Sequence, residues 1–289
     1  RQARSTATDT TAGLSHPAQQ TRTDSSQVVK ANASRVQEAL RVIEEFARTT
    51  DAPLAATAAT VRYALYDLEV RILEACAYNH RRQQLEGAKL CLITDPGLDG
   101  NSSAMLKRVE AALNAGITLV QYRRKQGDDR LRLQEARQLA ELCRRHRALF
   151  IVNDRIDLAL LVNADGVHLG QDDLPHAEAR ELLGSDKLIG RSTHRLEHLM
   201  KAQDDGADYV GVGPVFATRT KAGRTPAGLD WVRNAHAAAT VPWFAIGGID
   251  ASTIAEVRAA GASRVAVVSA IMAADDPVEA SQQLLHQLA

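Results

Sequence analysis

Along most of the chain, short apolar runs alternate with amphipathic stretches. The runs are Lys89–Thr94, Thr118–Arg123, Leu149–Val152, Gly166–Leu169, Leu188–Ser192, Tyr209–Gly213, Trp243–Ile246 and Arg264–Val268. Each has the length and continuous hydrophobicity of a strand buried on both faces of a parallel sheet. Nearly every gap between them carries a helical pattern, as in Leu131–His146 and Ile254–Ala260. Ala115-Gly116 and Ala260-Gly261 sit where a helix has to stop before the next strand. Eight strand-helix units in about 200 residues predict an α/β fold, a compact (β/α)8 barrel. A doubly wound open sheet is the alternative. It would normally carry a glycine-rich phosphate fingerprint after its first strand, and here that strand ends Thr94-Asp95-Pro96.

Ahead of this alternation the pattern differs. Arg1 to Lys30 is rich in Ser, Thr, Gln, Asp and Ala and almost devoid of large apolar side chains, which predicts a disordered tail over 1–30. Ser34 and Gln37 have the form of a capping box, followed by Val36, Ala39, Leu40 and Ile43 at helical spacing. Asp51-Ala-Pro53 reads as the start of a second helix with the stripe Val61, Ala64, Leu65, Leu68 and Ile72. The two form a helical hairpin over 31–84, with Arg81–Gly87 as linker and the barrel over 85–289. So small a unit buries little alone, so its stripe is expected to dock on the barrel or on a second subunit, as in a homo-oligomer. Arg41, Glu44, Glu45 and Arg62 are expected on a solvated face.

Composition changes the picture only by exclusion. Thirty-five basic residues balance thirty-five acidic ones, so no net charge favours nucleic acid or an anionic membrane as partner. No apolar run reaches the length of a membrane span. Cys76, Cys91 and Cys143 are widely spaced and odd in number, which suits buried thiols in a reducing cytoplasm. The expected partners are small molecules.

In a barrel the active site lies at the carboxyl ends of the strands, so those ends carry the candidate chemistry. The second strand runs out through Gln121-Tyr122-Arg123-Arg124-Lys125, and period-2 alternation sends Gln121, Arg123 and Lys125 to one side. A guanidinium and an ammonium together suit a polyphosphate. The third strand ends Asn153-Asp154 and the fourth Gly170-Gln171-Asp172-Asp173. Carboxylates from neighbouring strand ends can share Mg²⁺ while substrate phosphates complete its shell; Asp154 and Asp173 are the candidates, Asp172 rather a capping or solvated residue. Each Asp alone could equally cap the following helix. The fifth strand offers Ser192 and His194, while His168 in the fourth is expected to point into the packed barrel wall. After the sixth strand, Thr218, Thr220 and Lys221 present hydroxyls and an ammonium on a loop, which is either an anion-binding loop or an ordinary solvated one. Gly247-Gly248 after the seventh and Ser269 after the eighth make backbone N–H groups available to a phosphate.

With these motifs in place, the stretch from about Lys89 to the C-terminus resembles the thiamine phosphate synthase family. The likeness rests on Gln121–Lys125, Asn153-Asp154, Gly166–Asp173, Gly190-Arg191-Ser192, Gly211–Lys221 and Ile246–Ile249. It implies a (β/α)8 transferase that joins 4-amino-2-methyl-5-hydroxymethylpyrimidine diphosphate to a thiazole phosphate, carboxylated or not, releasing pyrophosphate with Mg²⁺ as cofactor. It implies that Gln121, Arg123, Lys125, Asn153 and Lys221 hold the pyrophosphate, Asp154 and Asp173 the Mg²⁺, and Ser192 the pyrimidine. Thr218, Thr220, Gly248 and the backbone at Val268-Ser269 would bind the thiazole phosphate. Arg123, Lys125, Lys221 and Ser192 would carry the catalysis. The hairpin resembles a helical extension fused to this synthase in some bacteria, through Arg35, Glu38 and Arg41–Glu45. A thiazole tautomerase-like enzyme and a non-catalytic sensor of thiazole or thiamine phosphate share parts of this pattern. The first handles no diphosphate, so Arg123, Lys125, Asp154 and Asp173 speak against it.

Overall fold

The structure, a computed structural model, describes residues 22, 24–95, 100–218 and 225–289. The chain divides into two compact units, Arg1–Ala77 and Tyr78–Ala289.

In the first unit, α1 (Ser25–Ala47) and most of α2 (Ala52–Gly87) are described. The first helix begins earlier than the sequence pattern predicts, so residues 25–30 belong to a helix and not to a tail. Asp24 caps it by accepting from Gln27 N, and Ser34 and Gln37 fall within the helix rather than at its start. The rest of the predicted tail, apart from Arg22 and Asp24, lies outside the described residues. Asp51 caps α2 by accepting from Leu54 N at 3.0 Å. That helix runs without a break to Gly87, so the polar stretch 81–87 is helical and not a linker. What the hairpin buries is small: Ala33, Ala47, Ala55 and Ala58. Its large apolar side chains, Ile43, Val61 and Leu68 among them, are exposed within the chain. Glu44 and Arg62 are buried and bonded to each other at 3.0 Å, which corrects their expected place on a solvated face.

The second unit is a closed barrel of eight parallel strands in sequence order. They are β1 (Leu90–Ile93), β2 (Leu119–Tyr122), β3 (Leu149–Asn153), β4 (Gly166–Leu169), β5 (Leu188–Thr193), β6 (Tyr209–Val212), β7 (Trp243–Ile246) and β8 (Val265–Val267). Between and after them lie α3 (Ser102–Asn114), α4 (Asp129–Arg145), α5 (Ile156–Leu161), α6 (His176–Leu183), α7 (Leu196–Asp204), α8 (Gly228–Ala238), α9 (Ile254–Ala259), α10 (Ser269–Met272) and α11 (Pro277–Gln287). Closure is the outcome the strand count predicts, and it rules out the open sheet.

Strand alternation divides the core in two. Leu92, Val120, Phe150, Val167 and Ile189 face the helical layer, while Cys91, Ile93, Leu119, Leu149, Ile151, Leu188, Tyr209 and Phe244 fill the barrel interior. Leu85 from the last turn of α2 joins this interior cluster at 1% exposure. The final turns of α2 therefore plug the amino-terminal end of the barrel. Tyr78 donates to Asp208 and Arg81 to Asp165 and Asp186 there, so the opposite end is left for ligands.

Candidate active site

A pocket opens at the carboxyl ends of the strands. Its walls include Gln121, Arg123, Asn153, His168, Ser192, Gly248 and Ser269, and it encloses about 980 Å³ of empty space, part of it open to solvent.

The floor is a buried polar chain. His168 Nε2 lies 2.9 Å from Ser192 Oγ, and its Nδ1 lies 3.3 Å from the Tyr209 hydroxyl. Gln121, also buried, hydrogen-bonds Tyr209. Burial holds the Tyr209 phenol well above its ordinary value, so it stays a neutral donor. His168 is thus a pocket residue, which corrects its expected place in the packed wall; Tyr209 escaped the sequence reading altogether. The signal for Tyr209 is in the register, and that for His168 is Gly211, whose Cβ would lie 3.4 Å from its ring. Gly190 pairs with both His168 and Tyr209, and a Cβ on Gly190 would sit 2.2 Å from the Tyr209 ring. Only glycine leaves room there for the aromatic side chain to cross the barrel. His194 also lines the pocket, its Nδ1 2.6 Å from the Gly213 carbonyl.

At the mouth, charge gathers from β2, β3 and β4. Beyond the last ladder pair, the backbone of Arg123 donates to Thr94 Oγ1 at 3.0 Å. Burial pulls the Arg123 guanidinium down while Asp154 and Asp95 pull it up. Lys125 reaches across to Asp154 Oδ2 at 3.0 Å. Asp154 stands in the left-handed backbone region at φ 62°, and it caps no helix: α5 starts without a side-chain cap. Asp173 accepts from Gly170 N at 2.6 Å. The Asp154 carboxyl has Asp173 as a close neighbour. Partial burial and then Asp173 raise the Asp154 carboxyl above its usual range, with Lys125 opposing. Two neighbouring carboxylates, with one cation beside them, are a donor set that suits a divalent cation. Among the described residues no group of three His, Cys, Asp or Glu side chains assembles into a site of its own, so such a cation would need oxygen ligands from substrate or water.

The far wall is built from backbone. Gly248 takes φ 64°, and a Cβ there would press within 2.8 Å of the Ala217 carbonyl and the Phe216 side chain. Val268, Ser269 and Thr218 line the same region of the pocket. Thr220 and Lys221 lie outside the described residues.

Comparison with known proteins decides the family. Residues 90–271 match the thiamine monophosphate synthase family. A thiamine-phosphate synthase of Synechococcus strain WH7803 is 73% identical over 288 residues, covering all of this chain and 82% of the relative. The chain belongs to the thiamine monophosphate synthase family. Its activity is that of a thiamine-phosphate synthase, a transferase. A thiamine-phosphate synthase of Prochlorococcus marinus strain MIT 9313 is 59% identical with the same coverage. Among solved structures, a thiamine phosphate pyrophosphorylase from Pyrococcus furiosus is 37% identical at a TM-score of 0.64, covering 72% of this chain and 96% of that one. Residues 1–71 match a second family, ThiD2, so the hairpin belongs to a separately recognisable module. Among the described residues no helix is long and apolar enough to cross a membrane.

Proposed function

We propose that this synthase joins 4-amino-2-methyl-5-hydroxymethylpyrimidine diphosphate to 4-methyl-5-(2-phosphoethyl)thiazole, carboxylated or not, by dissociative substitution in the cytoplasm. The bond between the pyrimidine methylene carbon and the diphosphate oxygen breaks first, and its electron pair leaves with pyrophosphate. The aminopyrimidine delocalises the resulting cation, and the thiazole nitrogen lone pair then forms the new carbon–nitrogen bond. Such a step needs no protein nucleophile; it needs stabilisation of the leaving group and exclusion of water.

The observation that supports this reading is the charge cluster that starts at Arg123 on the pocket wall: Asp154 stands beside Arg123, Lys125 lies 3.0 Å from Asp154, and Asp173 neighbours Asp154. Arg123, Lys125 and Asn153, with Gln121 below them and Lys221 from the loop after β6, take the pyrophosphate. Asp154 and Asp173 would hold Mg²⁺, which would supply positive charge to stabilise the departing pyrophosphate. Ser192, fixed by His168, orients the pyrimidine. Thr218, Thr220, Gly248, Val268 and Ser269 hold the thiazole phosphate. The barrel unit from Tyr78 to Ala289 carries all of these groups, and the helical hairpin none.

The test is pyrophosphate release and thiamine phosphate formation from the two substrates, with and without Mg²⁺. Turnover that depends on Mg²⁺ and collapses in Asp173→Ala is the expected result. Binding of the thiazole phosphate without pyrophosphate release identifies a sensor instead.

A further inference from the structure

The side of β2 that faces away from the pocket carries a second charge cluster. Glu135, on α4, is fully buried. Its carboxylate accepts from Tyr122 Oη at 2.6 Å, from Arg124 Nη1 at 2.7 Å and from the Ser102 hydroxyl at the start of α3. Arg124 in turn donates through Nε to Gln126 O at 2.9 Å and through Nη2 to Gly100 O at 3.4 Å. Its side chain is only 7% exposed although it sits on a loop.

These contacts interleave with the ligand-facing ones. Gln121 and Arg123 line the pocket and Lys125 turns to Asp154, while Tyr122 and Arg124 between them meet Glu135 on the helical side. The ladder to β3 ends at Tyr122, and Arg123 has a backbone bond to Thr94. Past that point, Arg124 is what fixes the turn that delivers Lys125. Among the described residues Lys125, mostly exposed, is held by Asp154 and through its own backbone carbonyl, which accepts from Arg132. A carboxylate with three donors in a low-dielectric setting is rigid, and removing one partner of a buried charged pair is costly.

We infer that Glu135 is a positioning residue for pyrophosphate departure: through Arg124 and Tyr122 it sets the phase of the chain at the end of β2, and so places Arg123 and Lys125. This rests on the reading that those two cations bind the leaving group. A purely structural Glu135 would instead lower stability and weaken every ligand alike.

The experiment compares full-length wild type with Glu135→Gln, with the double variant Arg124→Met/Glu135→Gln, and with Arg123→Ala. It measures the inhibition constant of Mg²⁺-pyrophosphate, the KM of the thiazole phosphate, kcat and the melting temperature. The double variant removes both charges together, which keeps the fold where a lone unpaired arginine would not. For both Glu135 variants the pyrophosphate constant should rise about tenfold, as displacement of a binding group by a fraction of an ångström does, with the thiazole phosphate KM within about twofold of wild type. Arg124→Met/Glu135→Gln that melts like wild type and binds pyrophosphate normally overturns the inference, as does equal weakening of both ligands. If Arg123→Ala itself leaves pyrophosphate binding unchanged, the leaving group sits elsewhere, and the reading and the inference fall together. If Arg123→Ala weakens it and the Glu135 variants do not, the inference falls alone.

Discussion

Asp154 shows what the site costs the fold. Its carboxyl is raised by partial burial and by Asp173, so in the folded protein the proton is held more tightly than in the unfolded chain. A raised acid adds stability when protonated and gives it up as pH rises through its folded value. At neutral pH the ionised Asp154 therefore stands at a cost to the barrel, one that a cation at the proposed metal site would offset. Asp154→Asn should melt at a higher temperature than wild type at pH 7 without Mg²⁺, because asparagine carries no charge and tolerates the left-handed backbone found there. It should lose most turnover. Paired thermal melts and assays check both halves, and a lower melting temperature would count against the paired-carboxylate description. The alternation Gln121, Arg123, Lys125 was legible because a strand end keeps its period of two until the chain turns. His168 and Tyr209 were not, since inside an apolar run a polar ring looks like core. Only the glycines beside them show the room each ring takes: a Cβ on Gly190 would sit 2.2 Å from the Tyr209 ring and one on Gly211 3.4 Å from the His168 ring.

At the scale of elements, every strand was found close to its predicted bounds, because a short apolar run closed by Gly, Pro or polar residues has few alternatives. Helix ends were harder. Residues Ser25–Ala33 carry no apolar stripe, and α1 extends over them because Asp24 caps the end and Ala, Lys and Gln favour helix. The charge placement in the hairpin was misread for a related reason: periodicity says which positions share a face, not whether two carried charges will meet across a pair of helices. Glu44 meets both Arg48 and Arg62, and those hydrogen bonds, Arg48 first, hold its carboxyl below the ordinary range. A lowered acid contributes stability above its unfolded value and loses it as pH falls through the folded one. Circular dichroism melts should therefore show Glu44→Gln less stable than wild type at pH 7, with the gap closing as pH falls below 4.5, the ordinary glutamate value. A gap independent of pH would mean that shape and not charge holds the pair. Glu44→Ala should be worse than Glu44→Gln at pH 7, because it leaves the buried Arg62 without any carboxyl-shaped acceptor.

For the whole molecule, the line between the units matters more than the helix that crosses it. The helix α2 runs from Ala52 to Gly87, yet its residues from Tyr78 onward belong to the barrel. Tyr78 and Arg180 converge on the buried Asp208, which also accepts from Ile189 N at 2.7 Å. Arg81 spans Asp165 and Asp186, and Leu85 fills the floor of the interior. A barrel beginning at Tyr78 should thus fold and retain most of the turnover, since the proposed ligand groups all come from strand ends. A barrel beginning at Lys89 has every strand and every proposed catalytic side chain, but it lacks these anchors. Loss of the buried Leu85 side chain alone costs about 2–5 kcal/mol by analogy with large-to-small core changes, and Asp208 and Asp165 lose donors besides. The comparison is steady-state kinetics and thermal melting of the two truncations beside the full chain. The shorter barrel should unfold many degrees lower, while the longer one keeps its kcat. If the barrel from Tyr78 folds and binds both substrates without turnover, the hairpin takes part in the chemistry; if the barrel from Lys89 is as stable as the longer one, the floor contacts of Tyr78, Arg81 and Leu85 carry no weight.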